Sequence, residues 1–274
     1  MQFGFGASWE WNRETDMRTT DPHVYLSRST MLGLTLGFFL FAGVSGCAGA
    51  KHLEIIPRNG TALTVVYQPS HQTDTGKDFN EALVCNAIAE AAIASASRTM
   101  TFKVWSYDVD TVHHARQGSN TKIEHTCAVD STGRVSGYAY ELRIANSLNP
   151  DIFVAIHNNG ATRRNACWGF VHEGDSLEPV NRAIAAALVR VVCEASGLEN
   201  LGVHGDSEPN RNDYRCASTG KLAFYSLDEH VNRAPYRILL EIGDNAASRA
   251  LLVDPGAQRH IGIAIQREIE NLVP

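Results

Sequence analysis

The chain has 274 residues, which is enough for one large domain or two small ones. Its hydrophobic content of 44% and its charged content of 20% are those of an ordinary globular protein. The formal net charge of −6 and the lack of a basic stripe in the sequence argue against a nucleic-acid-binding protein, so we expect no nucleic-acid partner.

The first 46 residues are predicted to lie outside the folded domain. Residues 31–44 are uncharged and apolar, and the run has the length of a signal peptide rather than of a membrane span. Small residues and Cys47 follow, which resembles a bacterial lipoprotein signal ending in its invariant cysteine. The resemblance implies an extracytoplasmic protein that is lipid-anchored to the membrane at Cys47. Because Ala48 follows rather than aspartate, the resemblance favours an outer membrane, facing the periplasm, if the organism has one. The alternative is an uncleaved signal or a plain anchor with an incidental cysteine.

Residues 47–60 are predicted to form a tether, and residues 61–274 one folded domain. Strand and helix patterns alternate along this domain. In chain order they predict a strand at 63–67, a helix at 82–97, a strand at 101–107, a helix at 137–147, a strand at 152–156, an edge strand at 169–172, a helix at 176–195, a strand at 237–242 and helices at 246–253 and 257–273. The polar segments 108–136 and 198–220 are predicted to be loops. This alternation predicts an α/β fold, a single domain with a mostly parallel twisted sheet flanked by helices on both faces.

Chemically active side chains stand where predicted strands end. His71 follows the first strand, His157 follows the run at 152–156, Glu241 closes the last strand, and Glu81 opens the first long helix. Because the carboxyl ends of parallel strands meet at one edge, these four residues are expected to converge. Two neutral imidazoles and one carboxylate form a common catalytic zinc set with a fourth position for water, and a second glutamate suits a general base. Taken alone, His157 equally fits a histidine that only makes hydrogen bonds at a strand end.

From about Leu63 to its C-terminus, the chain resembles the zinc-dependent N-acetylmuramoyl-L-alanine amidases, in their type 3 catalytic domain. The segments that carry the resemblance are Ser70-His71, Asn80-Glu81, Ala145-Asn146, residues 151–159 and residues 239–245. The resemblance implies that His71, Glu81 and His157 bind Zn²⁺ and that Glu241 is the catalytic glutamate. It places Arg143 at the family's arginine, with a structural or substrate-side role. It also implies hydrolysis of the amide between N-acetylmuramic acid and L-alanine in peptidoglycan.

Two departures from the family's pattern affect the expected site. The usual Asp-Pro-Gly-His-Gly-Gly loop reads Gln-Pro-Ser-His-Gln-Thr at 68–73, and Asp244 replaces the phenylalanine after Glu-Ile-Gly. The missing aspartate removes a carboxylate partner for a metal ligand. Two alternatives therefore stay open. One is a zinc peptidase or carboxypeptidase acting on peptidoglycan stem peptides, and the other is a non-catalytic envelope lipoprotein that binds peptidoglycan or regulates a partner.

The cysteines suggest few disulfides. With the lipidated cysteine set aside, five of the six cysteines remain, so at most two disulfides form. Cys85 and Cys193 fall in helical patterns and are predicted to be buried apolar side chains. Cys127, Cys167 and Cys216 lie in loop-like or strand-edge segments, and any disulfide is expected to join two of these.

Overall fold

The computed structural model describes residues 53–58, 62–72, 79–106, 115–117, 128–129, 135–160, 162–207 and 223–272. All of them belong to one compact unit that spans residues 50–274. The predicted signal segment, Cys47, Cys127 and Cys216 lie outside the described residues. Within the described ranges, no helix combines the length and the apolar character that a membrane span requires.

A seven-stranded sheet lies at the centre of the fold, in the order β3-β2-β1-β6-β9-β7-β8. Its strands are β1 (Thr64–Pro69), β2 (Met100–Ser106), β3 (Ala115–Gln117), β6 (Ile152–Asn159), β7 (Ala166–Val171), β8 (Glu199–Gly205) and β9 (Tyr236–Asp244). Strands β4 (Ala128–Val129) and β5 (Val135–Ser136) form a separate antiparallel pair. The pairs β1–β2, β1–β6, β6–β9 and β7–β8 are parallel, whereas β2–β3 and β7–β9 are antiparallel. The predicted mostly parallel sheet is confirmed.

Helices cover both faces of this sheet, as predicted. They are α1 (Glu81–Ser95), α2 (Gly137–Ser147), α3 (Glu178–Ser196), α4 (Arg249–Leu252) and α5 (Pro255–Asn271). Helix α1 begins at Glu81 because the Asn80 side chain caps it, accepting a hydrogen bond from the backbone N–H of Leu83 at 3.1 Å. Helix α3 ends at Gly197, whose φ of 73° is a left-handed conformation that glycine adopts without strain.

The side chains of the central strands alternate between two hydrophobic cores. Ile152, Val154 and Ile156 of β6 pack in the core that contains the buried residues of α1, α3 and α5. Phe153 and Ala155 pack in the second core, together with Leu142 and Ala145 of α2. Because the alternation has a period of two, the next residue after Ile156 faces the α2 side of the sheet.

Three expectations about the strands are wrong. Residues 108–136 were expected to be a loop, but they contain β3, β4 and β5. Residues 169–172 were expected to form an edge strand, but β7 lies between β9 and β8, and β8 forms the edge. Residues 199–205 were expected to be part of a loop, but they form β8. This strand is only partly buried along its length, so its sequence is polar and lacks the apolar run of a central strand.

Strands β6 and β9 are also longer than predicted. His157 was expected just after its strand and Glu241 at the end of its strand, yet β6 continues to Asn159 and β9 to Asp244. Both side chains therefore project from paired backbone. Polar residues at these positions do not end the strands, because ladder hydrogen bonding continues beyond them.

The segment 53–58, in the predicted tether, packs against the domain. Ile55 is fully buried in the core with the helices α1, α3 and α5, and its N–H donates to the carbonyl of Leu272 at 2.8 Å. Arg58 contacts the buried carboxylate of Asp151, with Nε 3.3 Å from Oδ1. These contacts join both chain ends of the compact unit to its core.

Two of the cysteines lie in contact. Cys167 was expected in a loop-like or strand-edge segment, but it is fully buried within the interior strand β7. Its thiol shares a hydrogen bond with the half-buried Cys193 of α3, which, together with burial, raises the pKa of Cys167 well above its usual value. Cys85 is fully buried in α1, as predicted, and all three are free thiols.

Candidate functional site

Three backbone connections bring the predicted site residues to one edge of the sheet. Strands β1 and β6 run parallel, and the N–H of Ser70 donates to the carbonyl of Ile156 at 2.8 Å. His71 directly follows Ser70 in the sequence, and His157 directly follows Ile156. The N–H of Ala82 donates to the carbonyl of Gln72 at 3.0 Å, so the beginning of α1 is joined to the segment after His71.

Side-chain hydrogen bonds hold residues 70–72, although this segment lacks the glycines of the amidase pattern. The indole Nε1 of the buried Trp105, on β2, donates to the carbonyl of Ser70 at 2.8 Å. The Oγ of Ser70 accepts a hydrogen bond from the N–H of Gln72 at 3.2 Å. Side chains therefore bond two backbone groups next to His71, the carbonyl of Ser70 and the N–H of Gln72.

His157 and Glu81 form the closest pair of the predicted ligands. His157 Nδ1 and Glu81 Oε1 are 3.2 Å apart, and the two residues are only 8% and 2% exposed. Glu81 occupies the first turn of α1, where the helix dipole favours a carboxylate. Burial of a carboxylate is costly unless a cation or a hydrogen-bond donor compensates it, so this pair is a strong indication of a built site.

Glu241 lies beside His157 because the two residues are partners in the β6–β9 register. Its side chain is half-buried, and its Oε2 atom is buried. On its other side, Trp168 is its partner in the β7–β9 register and is only 6% exposed. Trp168 was not predicted as a site residue. A carboxylate with an indole beside it and an imidazole on the neighbouring strand has the surroundings of a general base.

The charges of three glutamates act on the groups at this edge. Burial lowers the pKa of His157, but the carboxylates of Glu81, Glu241 and Glu141 outweigh this effect and hold its pKa above the usual value. Burial, followed by the charges of Glu81 and Glu241, raises the pKa of Cys85 well above its usual value. Cys85 is therefore a neutral thiol beneath the site, and it donates to Asn158 Oδ1 at 3.4 Å.

Glu141 is a member of this cluster that was not predicted from the sequence. It is 0% exposed, and its Oε1 lies 3.5 Å from Nδ1 of His71. Its Oε2 accepts a hydrogen bond from Nε2 of the fully buried Gln68 at 2.7 Å. The spacing along the predicted helix could have identified Glu141. It precedes the buried Ala145 by one helical turn and therefore lies on the same buried face of the helix.

The side chains present fit the divalent metal ion that the amidase resemblance implies. Two imidazoles and buried carboxylates are donors that Zn²⁺ prefers. The 3.2 Å between His157 Nδ1 and Glu81 Oε1 is close to the roughly 3.3 Å that separates two ligands of a tetrahedral ion with bonds of about 2.0–2.1 Å. Glu81 Oε1 is buried and accepts no well-aligned hydrogen bond within the described residues. In those same ranges no three His, Cys, Asp or Glu groups are arranged so that they could hold a metal ion.

The segment after Glu241 has a structural role. Gly243 has a φ of 71°, and a Cβ placed there would lie 2.8 Å from the Cβ of Ser248. Asp244, which replaces the family's phenylalanine, accepts hydrogen bonds from the N–H groups of Ala246 and Ala247, both at 2.9 Å. These bonds outweigh the effect of burial and hold the pKa of Asp244 below its usual value. Asp244 thus organises the turn that follows β9.

Arg143 lies apart from this cluster. Its side chain is exposed and lines an open groove of about 440 Å³ on the outer side of α2, with Asn146, Tyr225 and Arg233 among the neighbouring residues. Residues 141 and 143 therefore face different surroundings, although they belong to one helical turn. The structure brings Glu141, and not Arg143, next to His71.

Comparison with known proteins reveals similarity at the level of the fold. The sequence matches no protein-family model and no curated protein. Among solved structures, Cwp6 from Clostridium difficile matches 78% of this chain with a TM-score of 0.54 and 18% identity, and the match covers 30% of Cwp6. The N-acetylmuramoyl-L-alanine amidase from Clostridium difficile 630 matches 77% of this chain and 96% of its own, with a TM-score of 0.53 and 13% identity. The N-acetylmuramyl-L-alanine amidase Ami1 from Mycobacterium abscessus matches 76% of this chain and 97% of its own, with a TM-score of 0.52 and 14% identity. The chain therefore shares its α/β fold with these proteins.

Proposed function

We propose that this chain is a Zn²⁺-dependent hydrolase that cleaves the amide between N-acetylmuramic acid and L-alanine in peptidoglycan. The observation that supports the proposal best is the 3.2 Å contact between His157 and Glu81, with Glu241 as the register partner of His157 and with the residue before His71 bonded to β6. These residues come from separate parts of the sequence, and an α/β fold brings them together. The shared fold with two solved amidases agrees with this substrate class.

In this proposal, each site residue has a separate task. His71, Glu81 and His157 hold the metal ion. Zn²⁺, when bound, polarises a carbonyl oxygen and makes water more acidic. Glu241 accepts a proton from the attacking water and passes it to the leaving amine of L-alanine, which is the role of a general base followed by a general acid. Trp168 restricts the access of bulk water to one side of Glu241.

Two substitutions test these assignments separately. We expect Glu241→Gln to lower amide hydrolysis by about 10²–10⁴-fold while Zn²⁺ remains bound, because the amide side chain keeps its size but cannot accept the proton. We expect His157→Ala to lower Zn²⁺ stoichiometry as well as activity. His172→Ala is the matched control, because this buried histidine follows β7, which runs antiparallel to β9 and so ends at the opposite edge.

The products identify the bond that is cleaved. Mass spectrometry of digested muropeptides should show free lactyl ends if the chain is an amidase. Shortened peptide stems would instead identify a peptidase or carboxypeptidase. Binding to cell-wall sacculi without soluble products would identify a non-catalytic lipoprotein. Turnover by Glu241→Gln at the rate of the unmodified protein would refute the assigned role of Glu241.

We also propose that the protein is held in the bacterial envelope, outside the cytoplasm, by a lipid on Cys47. The sequence features that support this are the apolar run at 31–44 and the small residues before the cysteine. In this position the domain faces peptidoglycan, as its proposed substrate requires. Cys47→Ser should move the protein from the membrane fraction to the soluble extracytoplasmic fraction, and unchanged membrane association would contradict lipidation.

A further inference from the structure

The buried carboxylate of Glu141 has no role in the proposed hydrolysis, although it is the group beside His71. Its two oxygens have different neighbours. Oε2 accepts a hydrogen bond from Gln68 at 2.7 Å, and Oε1 lies 3.5 Å from Nδ1 of His71. Gln68 lies on the α2 side of the sheet, since it has the same strand face as Val66, which packs in the core with α2.

The burial of this group requires an explanation. Glu141 and Gln68 are both 0% exposed, and a carboxylate removed from water is destabilising unless donors or a cation compensate it. One neutral amide provides only part of that compensation. The His71 imidazole is a further close polar neighbour, and its side chain is 12% exposed and therefore almost buried as well.

The orientation of His71 follows from which nitrogen faces the carboxylate. An imidazole has two ring nitrogens, and the one that does not bind a metal usually donates its N–H to a carboxylate or a carbonyl. Nδ1 of His71 faces Glu141, so Nε2 is the nitrogen left to bind an ion. At 3.5 Å the contact is longer than the roughly 2.7–2.9 Å of a charge-assisted hydrogen bond, so we expect it to shorten when an ion binds at Nε2.

We propose that Glu141, held in place by Gln68, is a positioning residue that orients His71 for metal binding. The proposal rests on the proposed metal-dependent function, since His71 is a ligand only within it. Glu141 acts through His71 and not on the ion. Gln68, on β1, and Glu141, on α2, thereby place a carboxylate beside His71, although residue 68 itself is glutamine and not the aspartate of the amidase pattern.

The test is Zn²⁺ affinity, measured by competition with a chromophoric chelator on the full-length protein. We expect Glu141→Gln to lower the affinity by about 10–100-fold, which is the usual effect of removing such a partner. In a His71→Ala background, the same substitution should change the affinity by less than about 3-fold. Gln68→Leu should lower the affinity in the same direction, and it provides a second variant if Glu141→Gln does not fold.

Asp206→Asn is the matched control. Asp206 is buried and lies 2.9 Å from Nδ1 of the buried His172, so it is also a carboxylate next to a histidine, but it belongs to the other edge of the sheet. This variant should retain the Zn²⁺ affinity of the unmodified protein. Thermal melts of all metal-free variants separate lost affinity from lost folding.

The outcomes distinguish this inference from the proposed function. Unchanged Zn²⁺ affinity in Glu141→Gln, or an equal loss in the presence and absence of His71, would overturn the positioning role alone. If the unmodified protein binds Zn²⁺ but releases no lactyl ends from muropeptides, the proposed function is refuted. The positioning role is then still decided by the Zn²⁺ affinity of Glu141→Gln. If the unmodified protein does not bind Zn²⁺, both are overturned.

Discussion

Gly262 allows α1 and α5 to pack closely, and replacing it with alanine should destabilise the protein. A Cβ at this position would lie 2.3 Å from the carbonyl oxygen of Ile88, 2.8 Å from Cβ of Ala91 and 2.8 Å from the backbone nitrogen of Ala92. Two of these three atoms belong to the backbone of α1, so no side-chain rotation relieves the overlap. The helices must separate by about 1 Å, which disturbs the packing of Ile88 and of the buried residues of α5.

The magnitude follows from two opposing effects. Overpacking a core costs about 1–3 kcal/mol, and an obstacle made of backbone belongs at the upper end of that range. Alanine in place of glycine gains about 0.5–1 kcal/mol of helix stability. The free energy of unfolding should therefore fall by about 2 kcal/mol, and the Tm by roughly 4–8 °C for a domain of this size.

Gly256, in the first turn of the same helix, provides the control. The nearest atoms to a Cβ there belong to the Asp254 side chain, at 3.4 Å or more. Gly256→Ala should leave the Tm unchanged or raise it slightly. Urea and thermal unfolding of both variants measure the difference. Equal stability of Gly262→Ala and Gly256→Ala would refute the close approach of α1 and α5 as the reason for this glycine.

The remaining predictions concern two buried charges outside the site. Hydrogen bonds from the N–H groups of Arg98 and Ser97 outweigh burial and lower the pKa of Glu270 from 4.5 to about 2. Because this pKa is depressed on folding, its contribution to stability is complete above about pH 4.5 and is lost as the pH falls towards 2. Glu270→Gln should therefore lower the free energy of unfolding by about 1–3 kcal/mol at pH 7 and by little at pH 2. An equal loss at both pH values, measured by urea unfolding, would contradict the assignment. Asp175 forms a buried ion pair with Arg237. Asp175→Asn should therefore lower the free energy of unfolding by about 3–5 kcal/mol, because it removes the carboxylate that pairs with the buried guanidinium. A loss below about 1 kcal/mol would show that water compensates the guanidinium charge.

The parts of the fold predicted best from the sequence are those set by local signals. Helix α1 begins one residue before the predicted 82, because Asn80 caps it and alanine-rich sequence continues it. The apolar run at 152–156 correctly predicts the first five residues of β6. By contrast, β8 was missed because an edge strand needs no apolar run, and the order of β7 and β8 depends on pairings with β9 that no local pattern encodes.

The same distinction applies to the site. His71, Glu81, His157 and Glu241 were predicted because strand ends and a helix start are visible in the sequence. Glu141 was not, because its significance depends on Gln68, which lies 73 positions earlier in the chain. Trp168 reaches Glu241 only through the antiparallel pairing of β7 with β9, a direction that the predicted strand pattern does not contain.

The departures from the amidase pattern are explained by contacts made elsewhere in the fold. Residues 70–72 lack the glycines of the amidase pattern, and Trp105 and Ser70 supply hydrogen bonds to the backbone there. Where the amidase pattern has an aspartate before His71, this chain has Gln68. The Gln68 side chain donates a hydrogen bond to the Glu141 carboxylate, which lies beside the same histidine. The departures at positions 68–73 are therefore accompanied by a buried carboxylate that α2 places beside His71.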